Sequence, residues 1–280
     1  MDRAREALHT GNIRPMPVST TPDPFVVDAE IAPALFAWLC RLGDTTLVLG
    51  HRVSEWCGHA PVLEEDIAFA NGALDLIGHT QMWLGLAGEV EGKGRSADNL
   101  AYLRDAAQFR NLLIAELPKG DMAQTVMRQF LVDAWHYGLL SALVASRSPR
   151  VAEIAVKALK EVSYHLERSA DLVIGLGDGT AESHARMQRA LDDLWSYTGE
   201  MFIGDAVDQI IADAGIAPLP ESLKAEWLET VKAVLAEATL SIPEDGYAHK
   251  GGKTGRHTEH LGFLLAELQF LQRAYPGAEW

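Results

Sequence analysis

The sequence predicts an all-α protein, a bundle of long helices with additional helices towards the C-terminus. Two stretches, Met122 to Ala145 and Pro149 to Ile174, carry apolar residues at helical spacing and are separated only by the break Ser146-Arg147-Ser148-Pro149. Two stretches of similar length precede them. No strand-like alternation of useful length, internal repeat or low-complexity tract interrupts the pattern.

Taken in order, residues 1–27 carry no sustained period, and Pro15, Pro17, Pro22 and Pro24 around Ser19-Thr20-Thr21 mark a flexible N-terminal arm. Residues 28–280 read as a single helical domain, since no strong linker divides them. Ala29 to Trp56 is expected as a helix with Leu35, Trp38, Leu39, Leu42, Leu47, Leu49 and Val53 as its apolar set. Gly43 and Gly50 weaken that helix but permit close packing. After the break at Pro61, Leu63 to Glu89 presents Ile67, Ala70, Leu74, Ile77, Trp83 and Leu84. The pattern falters between Gly92 and Lys119. The third long helix offers Val126, Phe130, Val132, Ala134, Leu139 and Leu140, and the fourth Ile154, Val156, Leu159, Val162 and Leu166. Thr180 to Phe202, Asp205 to Ala214, Glu221 to Ala238 and His257 to Ala274 complete the helices, with a glycine-bearing loop from Ser241 to Arg256.

Composition limits function. The 39 acidic against 24 basic residues give a formal charge of -15, which argues against non-specific binding of nucleic-acid backbones or anionic membranes. Cys40 and Cys57 are too few for a disulfide framework, and with no secretory signal or apolar run near twenty residues a cytoplasmic setting is expected.

The chemistry lies in polar residues midway along the long helices. A carboxylate-bridged di-iron bundle takes a carboxylate from each of two helices and a Glu-x-x-His from each of the other two. Here Asp44, Asp75, Asp133 and Glu161 supply one acid per long helix, but the histidines do not follow the pattern. His79 stands four residues after Asp75 and His165 four after Glu161; only Asp133 and His136 have the three-residue spacing. Acid and imidazole four apart still share a helix face and can hold a metal weakly. The reading from these residues is a vestigial polar network of Asp44, Asp75, Asp133, His136, Glu161 and His165, each acid satisfied by a neighbouring donor, with no metal site.

Other constellations carry less. His257-Thr258-Glu259-His260 fits the first turn of a helix better than a metal site. The Cys57 and His59 pair lacks a third partner for a zinc or nucleophile site. Gly251-Gly252-Lys253-Thr254-Gly255 lacks the preceding strand and the spacing of a phosphate loop, although Lys250, Lys253 and Arg256 could meet a phosphate or an acidic partner.

Six ordered runs carry a family resemblance: Arg41-Leu42-Gly43-Asp44; Glu55 to Pro61; Arg104-Asp105 with Gln108-Phe109-Arg110-Asn111; Asp133-Ala134-Trp135-His136; Lys160-Glu161 with Tyr164-His165-Leu166; and Gly255 to Gly262. Over about residues 33–280 the chain resembles the C subunits of bacterial 1,2-phenylacetyl-CoA epoxidases, and the residues before about 30 look like an addition to the usual start. The resemblance implies a ferritin-like bundle that is not itself the oxygenase but scaffolds a homologous A subunit. That A subunit holds the di-iron centre. A small B subunit and an iron-sulfur, FAD-bearing reductase complete a system that epoxidises the ring of phenylacetyl-CoA with oxygen and NADPH. It further implies substrate contacts at Gln108, Phe109, Arg110 and Asn111, and others at Gln209, Ile210 and Ile211, where this sequence departs from the family pattern. No cofactor is expected in this chain. An independent di-iron oxygenase and a ferritin-like acyl-CoA-binding module are the competing readings.

Overall fold

In the computed structural model, which describes residues 29–244 and 246–278, the protein is all α, with no strand among the described residues. The expected arm at residues 1–27 lies outside them. Four long helices dominate: α1 (Ala32–Ser54), α2 (Leu63–Glu91), α5 (Met122–Leu143) and α6 (Pro149–Gly177). Between α2 and α5 the chain forms only α3 (Ala97–Tyr102), a 3-10 turn at Ala106–Gln108 and α4 (Leu113–Glu116), which is where the apolar period fails. Five shorter helices follow: α7 (Ala181–Thr198), α8 (Ala206–Asp213), α9 (Lys224–Glu237), α10 (Glu259–Leu268) and α11 (Phe270–Ala274).

Local chemistry sets the boundaries. Asp121 caps α5 by accepting a hydrogen bond from the Gln124 amide at 3.0 Å, and α6 begins on Pro149, whose missing N–H is no loss at a first turn. Ser96 with Asn99, Thr180 with Ser183, and Asp205 with Asp208 each form a reciprocal cap at the start of α3, α7 and α8. Three expected helices come out divided. The last residues of the stretch to Phe202 tighten into a 3-10 turn from Gly199, and Pro220–Leu223 form another before α9 starts. The final helix breaks at Gln269, whose buried amide donates to the carbonyls of Ala101 and Arg104, both at 2.9 Å.

The bundle consists of two hairpins. In the first, a Cβ on Gly43 would lie 2.5 Å from Leu84, and one on Gly50 would lie 3.2 Å from Leu76, so glycine lets α1 and α2 approach closely. The Thr46 and Thr80 hydroxyls meet at 2.9 Å across that contact. Helices α5 and α6 form the second hairpin, against which α7 and α9 pack. Trp227 of α9 donates its indole N–H to the Leu131 carbonyl of α5 at 3.0 Å. A continuous apolar core links the long helices, with Leu35, Leu39, Trp83, Phe130 and Val162 fully buried. Helix α1 is long and apolar enough to cross a membrane, contrary to the expectation of no such run, but 78% of its apolar window is buried inside the bundle. Its apolarity serves the core.

Periodicity misplaces three residues. Ile67, Leu74 and Val156 belong to the apolar stripes read from the spacing, yet they are 52%, 66% and 46% exposed. Apolar spacing identifies a helix face without saying whether this chain itself covers it.

Candidate functional site

Helices α2 and α6 run antiparallel and are held together by acid-base pairs along their whole length. Glu65 meets Arg168 near one end, and Arg150 reaches Glu89 at 3.0 Å near the other. Between them, His165 Nε2 lies 2.9 Å from Asp75 and His79 Nε2 lies 2.7 Å from Glu161. Residues four apart lie one above the other on a helix face, so Asp75 and His79 both point at the seam, as do Glu161 and His165. The antiparallel arrangement sets each acid level with the imidazole of the other helix. The pairs therefore cross the seam, and neither acid binds the histidine on its own helix.

Burial fixes the charge states behind the seam. The His79 side chain is fully buried, and desolvation holds it below the ordinary histidine range despite the opposing pull of Glu161. A neutral His79 donates from Nε2 to the carboxylate, and its Nδ1 is buried without a partner. His136 on α5 stands edge-on to His79 with ring centroids 5.7 Å apart and stacks on Trp135. Burial first, and then its two histidine neighbours, keep His136 well below the ordinary value. Asp133, also on α5, accepts a hydrogen bond from the Ser169 hydroxyl at 2.9 Å, and burial pushes its carboxyl up to about 6.

The Asp133 shift makes a pH-dependent contribution of known sign. A carboxyl whose folded pKa is raised binds more protons folded than unfolded, so its contribution to stability falls as pH rises from about 4 through 6. Buried neutral His79 and His136 work oppositely, stabilising more as pH rises towards the unfolded histidine value. Asp133→Asn keeps an acceptor for Ser169 and isolates the acid. It is expected to stabilise the protein at pH 8 by up to about 3 kcal/mol while changing little near pH 4. Thermal melts of both proteins across that range test this, and an equal difference at both ends would contradict it.

Asp44 does not join this cluster. It is fully buried on α1, and its carboxylate takes both terminal nitrogens of Arg104 and the backbone N–H of Arg110 at 2.8 Å. Arg104 also donates to the carbonyls of Leu100 and Gln108, and its guanidinium lies 4.5 Å over the Phe109 ring. Burial alone would lower the Arg104 pKa, but Asp44 outweighs it and the net shift is upward. The expected set of six is thus split between two places. Among the described residues, no three His, Cys, Asp or Glu side chains are grouped to hold a metal ion. The acids that a di-iron bundle would offer to metal face a guanidinium, two imidazoles and a hydroxyl.

The two segments implied as substrate contacts are partly open. The Gln108 side chain is exposed and accepts the Asp105 N–H at 2.9 Å, and half-buried Arg110 donates to the carbonyls of Ala107 and Phe109. Phe109 and Asn111 are fully buried, the latter donating to Leu112 and Glu116. On α8, Gln209 reaches Asp213 at 2.7 Å and Ile210 is 41% exposed, whereas Ile211 faces the core. Between the segments lies a cavity of about 40 Å³ bordered by Trp38, Arg41, Leu112, Trp135 and Asp208. A water-sized space cannot admit an acyl thioester. Its charges are also paired: Arg41 binds Asp205 and Asp208, and Lys253 binds Asp208 at 2.8 Å.

Two buried glutamates escape sequence reasoning. Glu200 accepts the backbone N–H groups of Gly251, Gly252 and Leu113 at 2.7, 2.9 and 2.8 Å. The loop that resembles a phosphate cradle therefore holds a carboxylate of its own chain. Glu116 likewise takes the Thr258 N–H at 2.7 Å and His257 Nδ1 at 3.0 Å, which accounts for the His-Thr-Glu-His run without a metal. Neither glutamate has a sequence signature, because the partners of Glu200 are main-chain groups and those of Glu116 include a main-chain group and a histidine 141 residues away.

Comparison with known proteins adds a family. The model of the phenylacetic acid catabolic protein family matches residues 22–280. Over 246 residues the chain is 48% identical to the C subunit of 1,2-phenylacetyl-CoA epoxidase from Escherichia coli (strain K12), an alignment covering 88% of this chain and 99% of that protein.

Proposed function

Because the chain belongs to the phenylacetic acid catabolic protein family, we propose that it is the structural, non-catalytic subunit of a 1,2-phenylacetyl-CoA epoxidase complex. In this reading it scaffolds a homologous di-iron A subunit in aerobic phenylacetate breakdown, within the cytoplasm. A small B subunit and a reductase carrying FAD and an iron-sulfur cluster complete the assembly, which consumes NADPH and oxygen.

One observation carries the non-catalytic assignment. Asp44 is bound by Arg104, Asp75 by His165, Glu161 by His79 and Asp133 by Ser169, so no two of these acids share a position where metals could be bridged. Metal binding would first have to break these bonds, which are buried at Asp44 and Asp133 and half-buried at Asp75 and Glu161. The two pairs across the α2–α6 seam also hold the hairpins in register, which suits a scaffold that a partner must find already formed. Any contact with phenylacetyl-CoA is assigned to Gln108, Arg110, Gln209 and Ile210, the members of the two segments that reach the surface. Phe109, Asn111 and Ile211 would support them from beneath.

Iron content tests the reading. The chain, made without partners, reconstituted anaerobically with ferrous iron and desalted, is expected to retain close to none. Retention of about two irons per chain, lost in Asp133→Ala and Glu161→Ala variants, would replace the scaffold with an oxygenase.

A further inference from the structure

Helix α2 is apolar on almost every side, yet one side is bare. Between Asp66 and Glu89 its only titratable side chains are Asp75, which is bound to His165, and His79, which is buried and bound to Glu161. A helix that is apolar all round is expected to be covered all round. In the structure Leu63, Ile67 and Leu74 are 70%, 52% and 66% exposed. Further along the helix stand Gly78 and Gly85, where an added Cβ would meet nothing within 4 Å. Tyr164 on α6, 60% exposed and one turn from Arg168, continues the surface across the seam.

We propose that the outer face of α2 and the adjoining edge of α6 form the docking surface for the other large helical subunit of the complex, an inference that rests on the function proposed above. Size supports it: a strip about 33 Å long and two helices wide spans roughly 650 Å², close to the ~800 Å² that each partner contributes to a stable interface, with a nearly uncharged α2 half and a charged rim at Lys157 and Lys160 on α6. Shape points to a helix as the occupant. Glycines facing open space let two helix backbones approach closely, and the branched side chains beside them fill the grooves of a facing helix. Charge argues against a second copy of this chain. At -15 each, two copies repel.

The test uses the full chain with the A and B subunits of the same organism's epoxidase, association being measured by sedimentation. Leu74→Asp is expected to weaken assembly at least about tenfold. Gly78→Gln should weaken it similarly while leaving the melting temperature of the isolated chain unchanged or raised, since glutamine suits a helix better than glycine. Phe263→Asp, at a 71% exposed position on α10, serves as the control and should change nothing. Normal assembly of both α2 variants would overturn the docking surface and leave the proposed function standing. Failure of the unmodified chain to assemble with either subunit would remove that function and this inference with it. A dimer of the isolated chain that Leu74→Asp dissociates would assign the face to a second copy and overturn the proposal.

Discussion

Asp44→Ala is expected to destabilise the protein by about 3–5 kcal/mol, lowering its thermal midpoint by roughly 10 °C. The size follows from what the substitution leaves behind. Arg104 is 3% exposed, and its charge is compensated there by Asp44. Without the carboxylate, a buried guanidinium remains with only carbonyl acceptors, and the Arg110 N–H loses its partner. Removing one member of a buried pair costs far more than removing both. The double variant Asp44→Leu with Arg104→Met should therefore recover the part of the loss due to the stranded guanidinium, leaving only the cost of the unpartnered Arg110 N–H. Calorimetry on the three proteins decides the matter. A single variant that melts within about 2 °C of the parent would show that Arg104 has another way to satisfy its charge.

Glu200→Ala should have the next largest effect, about 3–5 kcal/mol, because it strands three buried N–H donors at once. Those donors belong to Leu113 at the start of α4 and to Gly251 and Gly252 in the loop before α10. The loop fits tightly there, since a Cβ on Gly252 would lie 2.1 Å from the Asn111 carbonyl oxygen. The loss should be regional. Amide hydrogen exchange at residues 113, 251 and 252 is expected to rise steeply, while the α1–α2 hairpin keeps its protection. Uniform loss of protection across the chain would mean that Glu200 supports the whole bundle. Glu200→Gln separates charge from shape, since its single carbonyl oxygen can serve only one side of the clamp.

Both glutamates tie the C-terminal third of the chain to the irregular stretch between α2 and α5. That stretch carries Arg104 and Arg110, and through Asp44 it is anchored on α1. One continuous set of buried polar bonds thus runs from the bundle through the 104–116 segment to the residues around His257. Covering such a stretch with backbone-directed carboxylates satisfies main-chain donors that no regular helix consumes. These bonds also fix the backbone of the segment proposed to contact substrate.

The long helices can be read directly from the chain. Their stripes of Leu35, Leu39, Val126, Phe130 and Val162 recur at a period that only a helix turns into one face, and all five are buried. The shared face of Asp75 with His79, and of Glu161 with His165, is legible for the same reason. The crossing of those pairs is not legible, nor is the separation of Asp44 from them. Asp44 sits at a suitable level on its helix, but its partner lies 60 residues away in a stretch without periodicity.

The sequence by itself determined the all-α class, the number and approximate limits of the long helices, and which side chains share a helix face. Each of these follows from hydrogen bonds and side-chain contacts within a few residues, so local spacing is enough to state them. Only the tertiary structure decided which buried charge meets which. The pairs that matter lie 60, 82, 90 and 164 residues apart, and for the pairs at 82 and 90 the antiparallel seam, not the spacing on either helix, sets them level. It alone also decided that Ile67 and Leu74 face outward, because apolar character is a property of the residue and burial is a property of its neighbours.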